Sequence, residues 1–114
     1  MTNANQPGAA PEEKKPLIGQ ATEAEIAQWK KDFKDVFSIT VEDHIGYFKK
    51  PDRKAIAYAS TLLKQSPIDY IESILENTWI GGSKELLTND DYFLATMGVA
   101  EQLIETKTGE LVKL

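Results

Sequence analysis

Apolar residues along this chain first fall into register after about twenty positions, and the period then changes several times. Ile26, Trp29, Phe33 and Val36 recur at helical spacing, and Thr22 followed by Glu25 forms a capping-box pattern just ahead of them. Glu23 and Glu25 in the first turn and Lys30, Lys31 and Lys34 in the last suit the helix dipole. The spacing predicts a helix over this stretch. The period shifts to two at Phe37, Ile39 and Val41. After the polar Glu42-Asp43-His44 come Ile45, Tyr47 and Phe48, which predicts a β-hairpin. A three-residue loop would set Ile39 opposite Tyr47, and a two-residue loop Phe37 opposite Phe48; the pattern leaves both open.

Helical spacing returns at Ala55, Ile56, Ala59, Leu62 and Leu63, with Pro51 acceptable in the first turn. Another helix is expected from Ser66 as N-cap, with Pro67 at N1, Asp69 at N3, and Ile71, Ile74, Leu75 and Trp79 as its apolar face. "WIGGS" then reads as a helix stop, with Trp79 the last core anchor and Gly81 at the C′ position. Gly82 is expected to let the connector turn back tightly. Leu86 and Leu87 read as a short connector. Thr88 is expected to cap a final helix bearing Phe93, Met97, Ala100, Leu103 and Ile104, with Gly98 admitting close packing against Trp79. The end, "TKTGELVKL", reads equally as a short strand or a frayed helix. The prediction is an α+β domain over residues 21–114: about four α-helices with one β-hairpin, in the N-terminal part, packed on them. Residues 1–20, with Pro7, Pro11 and Pro16 and no aromatic residue, are expected to be a disordered tail.

Composition narrows the function more than the fold. The chain has 114 residues, a formal charge of −5 and 41% hydrophobic residues, as expected of one globular domain without a general nucleic-acid footprint. There is no cysteine, so no disulfide or thiolate chemistry. No apolar run reaches the roughly 18 residues of a membrane span, and a cytoplasmic setting without membrane contact is expected. His44 is the single histidine, with no second histidine or cysteine to share a metal. No glycine-rich phosphate loop or nucleophile motif is present. We expect no enzyme, no cofactor and no metal.

Two surface features are candidates for binding. Lys49, Lys50, Arg53 and Lys54 surround Pro51-Asp52. They read either as a solvated corner, with Asp52 paired locally, or as a patch for an acidic partner; nucleic acid is not expected there, because no aromatics interleave. Tyr58 and Tyr70 lie at helix flanks and are candidate interface anchors.

The combination of "KKPDRK" with the downstream "NTWIGGS", inside "FSITVEDHIGYFKKPDRKAIAYAS", "SPIDYIESILENTWIGG" and "TNDDYFLATMGVAEQLIE", resembles the tail assembly chaperones of tailed bacteriophages. The resemblance spans roughly residues 22 to 106, with Pro51, Asp52, Trp79, Ile80, Gly81 and Gly82 as its signature. It implies a non-enzymatic protein of the bacterial host cytoplasm. Such a protein binds the tape-measure protein and tail-tube subunits during virion assembly, with self-association allowed. The alternative is a small adaptor or nucleic-acid-associated protein working through the basic corner at 49–54.

Overall fold

A computed structural model describes residues 16–104 and 109–114. Helix α1 (Glu23–Phe33) opens with the expected capping box: the Thr22 hydroxyl accepts from the Glu25 N–H at 3.1 Å, and Glu25 Oε1 accepts from the Thr22 N–H at 2.9 Å. The helix stops at Lys34, which takes φ 68°, so Val36 begins a strand instead of continuing the helical stripe. Strands β1 (Val36–Val41) and β2 (His44–Lys49) form the hairpin, which follows α1. Its loop has two residues, because Val41 pairs with His44 and Phe37 with Phe48. Glu42 supplies the positive φ, 54°, that such a tight turn needs.

Helix α2 (Arg53–Ser60) is capped by Asp52, whose carboxylate accepts from the Ala55 N–H at 2.8 Å. Pro51 therefore precedes the helix instead of sitting in its first turn. Helix α3 (Pro67–Thr78) has Ser66 as N-cap, Pro67 at N1 and Asp69 in the first turn, as expected. It does not end on a glycine. Trp79 itself turns extended (φ −61°, ψ 130°), and the chain runs directly into a third strand, β3 (Trp79–Gly82). β3 pairs antiparallel with β2, giving a three-stranded sheet in the order β1-β2-β3. Phe48 faces Trp79 and Tyr47 faces Gly81, so Ile80 is an extra residue in a bulge. A single turn α4 (Glu85–Thr88) and helix α5 (Asp90–Ala100) follow, and a 3₁₀ turn runs over Glu101–Ile104. Asn89 caps α5 in place of Thr88, its Oδ1 accepting from the N–H groups of Asp91 and Tyr92. Thr88 donates to the Lys84 carbonyl instead.

The fold is α+β, with five α-helices and a three-stranded sheet among the described residues. Alternation along the strands sends Ile39 and Phe48 to one face, where they pack with Leu75, Phe93, Ala100 and Leu103. α1 covers the other face. Trp29 meets Tyr47 at 5.2 Å between ring centroids, and Lys49 lies over the Phe33 ring at 5.2 Å. Leu17 to Gln20 belong to this structure. The Ile18 N–H donates to Asp43 O, and Ile18 O accepts from the Ile45 N–H, extending the sheet beside β2 past the end of β3. Residues 1–15 of the expected disordered tail lie outside the described residues, as do 106–108 of the ambiguous end. Residues 109–114 form neither helix nor strand.

Glycines set how closely these layers approach. Gly82 has φ 113°, and a Cβ there would lie 2.6 Å from Ile45 O and 2.7 Å from the Gly46 Cα. A Cβ on Gly81 would lie 2.9 Å from the Trp29 ring, and one on Gly46 would lie 2.7 Å from Leu86 Cδ1 and 2.9 Å from the Trp79 ring. Neither Gly81 nor Gly82 stops a helix: Gly81 seats Trp29, and Gly82 admits the backbone of β2. Gly98, expected to receive Trp79, has nothing within 4 Å of its Cβ position. Trp79 packs edge-on to Phe48 instead, at 5.5 Å. Gly82→Ala is therefore expected to destabilise the fold by about 2–4 kcal/mol in chemical denaturation. Gly98→Ala, inside a helix and unopposed, should stabilise by about 0.5–1 kcal/mol.

Candidate functional site

The structure engages one residue of the basic corner and exposes the other three. Lys49 is half-buried against Phe33, while Lys50, Arg53 and Lys54 are exposed at the entry to α2. Asp52 caps the helix instead of pairing with a cation, and among the described residues no carboxylate lies within ion-pair distance of these four side chains. Pro51 is buried beside them. The corner is thus an exposed cationic group of three on an acidic protein. Tyr58, at 64% exposure, stands out from α2, and Tyr70 is half-buried on α3.

A more extensive apolar surface runs between α3 and α5. One end is an open cleft of about 650 Å³ lined by Pro67, Tyr70, Ile71, Leu94, Met97, Gly98, Glu101 and Ile104. Leu94 also belongs to the adjoining cleft of about 380 Å³, with Ile68, Glu72, Leu87, Asp90 and Phe93. Ile68 and Leu94 are each about half exposed, at 49% and 55%. The groove lining mixes apolar side chains with three acidic residues, Glu72, Asp90 and Glu101. Tyr70 is the one sequence-predicted interface residue that joins it; Tyr58 lines neither cleft. Leu94 escaped the sequence reading because it lies one position off the stripe of its helix, and Ile68, though spaced with Ile71 and Leu75, sits in the exposed first turn of α3. On the other flank of α5, a third cleft of about 360 Å³ lies beside β1, lined by Phe37, Ser38, Ile39, Thr40, Val99, Gln102 and Leu103.

His44 is buried at the start of β2, a contact between distant segments that the sequence does not reveal. Its Nδ1 lies 2.7 Å from Ser83 Oγ, and its Nε2 lies 3.6 Å from Asp43 Oδ1. The residue types are those of a nucleophilic triad, but the arrangement acts as a tie. Ser83 is itself buried, its N–H is committed to the Ile45 carbonyl at 2.9 Å, and the three clefts open elsewhere. The Asp43 contact is beyond hydrogen-bond length. His44 and Ser83 fasten the end of β2 to the chain leaving β3, and the Tyr92 ring covers the imidazole at 4.8 Å. No three His, Asp or Glu side chains among the described residues group as metal ligands. No helix among them is long and apolar enough to cross a membrane.

Compared with protein-family models, with curated proteins and with solved structures, the chain matches none.

The Tyr92 phenol is held above its ordinary titration range, first by burial and then by the carboxylates of Glu42, Asp43 and Glu85; it also donates to Glu42 Oε1 at 3.4 Å. A phenol whose folded-state value is raised contributes stability that is complete below the unfolded value, near 10, and is lost as pH climbs through the folded one. Stability is therefore expected to fall above about pH 10. Tyr92→Phe should flatten that fall in denaturation curves measured across the alkaline range.

Proposed function

We propose that this chain is a non-enzymatic assembly chaperone of the tailed-bacteriophage kind. It binds the tape-measure protein, and tail-tube subunits, in the host cytoplasm while the tail is built. The observation that carries the reading is the pair of adjoining clefts along α3 and α5, which share Leu94 and leave it and Ile68 about half exposed. Adjoining clefts of this form take the apolar stripe of an amphipathic helix. Their acidic residues favour a helix with lysine or arginine flanking that stripe, because opposite charges guide encounter and register. A long helical client with repeated apolar stripes needs such a cover to stay soluble, and no catalytic group is required for that.

The motif resemblance supplies the client, and the groove supplies a place for it. The signature glycines support the groove indirectly, since they hold β3 and therefore the end of α3 against the sheet. The reading based on the basic corner has less support, because Lys49 is engaged by Phe33 and only Lys50, Arg53 and Lys54 remain exposed there, with no apolar groove beside them among the described residues.

Co-expression with the tape-measure protein of the same phage tests the proposal. The tape measure is expected in the soluble fraction and in complex with this chain. Leu94→Asp, on an exposed position, should weaken that complex about tenfold or more while leaving the melting curve unchanged. A tape measure equally insoluble with and without this chain would refute the reading, and Arg53→Glu abolishing binding while Leu94→Asp spares it would move the contact to the corner.

A further inference from the structure

The sheet has one open side. β2 is central, and the β3 side is extended by Ile18, whereas β1 has no strand on its outer side among the described residues. Alternation along the hairpin fixes which backbone groups face outward. The Ile45 N–H and C=O bond away from β1, to Ile18 and Ser83, so the Thr40–Ile45 pair is a non-hydrogen-bonded one. The same holds for Ser38 with Tyr47 and Val36 with Lys49. The outer edge of β1 thus presents the N–H and C=O of Val36, Ser38 and Thr40.

Among the described residues this edge carries neither charge nor proline to block pairing. Over Val36–Val41 it is rich in β-branched and aromatic residues. Beside it, Phe37 and Val99 expose 38% and 41% of their surface along the 360 Å³ cleft. The edge is also self-complementary. In an antiparallel pairing of two copies, only the register centred on Ser38 uses all three outward residues of each: Ser38 meets Ser38, and Val36 meets Thr40. At each end of the seam that register places Lys34, in the cap just before β1 of one copy, on the side of Glu42, in the turn just after β1 of the other.

We infer that the outer edge of β1 is a self-association surface, on which a second copy of this chain pairs its own β1 antiparallel about Ser38. The product is a two-fold dimer with one continuous six-stranded sheet, and the exposed Phe37 and Val99 of each copy lie along the seam. The inference is independent of the groove and of what that groove binds.

Amide hydrogen exchange on the full chain at low and high concentration, with sedimentation velocity, tests it. The expected result is a dimer at tens of micromolar, in which the amides of Val36, Ser38 and Thr40 slow by about tenfold as concentration rises. Those of Phe37, Ile39 and Val41, already paired with β2, stay unchanged. Ser38→Pro removes an outward N–H without touching the β1–β2 ladder and should weaken the dimer about tenfold or more. Should that variant fail to fold, charge exchange decides. Glu42→Lys should weaken the dimer about threefold or more, and adding Lys34→Glu should restore it. A monomer at all concentrations overturns the inference, as does a dimer insensitive to these changes. Dimerisation that appears only when residues 109–114 are removed also overturns it, because the chain's own C-terminus would then occupy the edge.

Discussion

The contact on which the rest depends is the approach of the β3 backbone to β2 at Gly46 and Gly82. No side chain separates the two strands there: a Cβ on Gly82 would come within 2.7 Å of the Gly46 Cα. Because β3 follows α3 without a loop, this pairing fixes where α3 ends and which way its apolar face points. Leu75 then reaches the core beside Phe48, and Thr78 turns its hydroxyl back onto the Ile74 carbonyl at 2.8 Å instead of stranding a polar group. Gly81 continues the same logic on the opposite face, where the Trp29 indole lies flush on a strand with no side chain in its way.

The starts of α1 and α3 were legible because each is written within a few neighbouring residues, whereas the caps of α2 and α5 fell to Asp52 and Asn89 in place of the expected arrangement. The Thr22–Glu25 box and the Ser66-Pro67 cap formed as their local chemistry dictates. The hairpin was legible as a pattern, but its register was not. Two loop lengths satisfied the alternation, and the choice fell to the positive φ of Glu42. The third strand was illegible for a physical reason: Gly-Gly after a helical stripe suits a helix stop, and only the partner strand about 35 residues earlier turns those glycines into packing positions. Gly98 shows the converse, a glycine credited with close packing that faces open space. The His44–Ser83 tie and the sheet contact of Ile18 depend on equally distant pairings.

Of the candidate site, sequence found one edge. Tyr70 lies in the groove, but Leu94 does not follow the stripe of its helix, and Ile68 follows its own only in a first turn that stays exposed. α5 is apolar on more than one side because it works as a shared wall. Phe93, Thr96 and Ala100 are buried, Leu94 and Met97 face the α3 groove, and Val99, with Leu103 of the 3₁₀ turn that follows, borders β1. A single-stripe reading assigns such a helix to the core and so passes over both surfaces it builds. The two surfaces lie on opposite flanks of α5, so the proposed client helix and the proposed second copy would not compete for one site.

The central structural claim is that "WIGG" is a strand in register with β2, with Gly46 and Gly82 in a close, non-hydrogen-bonded pair. A nuclear Overhauser measurement on the folded chain tests it most directly. A strong Hα–Hα contact between Gly46 and Gly82 is predicted, since Cα atoms in such pairs lie about 4.5 Å apart. Helical contacts running from Thr78 through Gly81, with no Gly46–Gly82 signal, would contradict it.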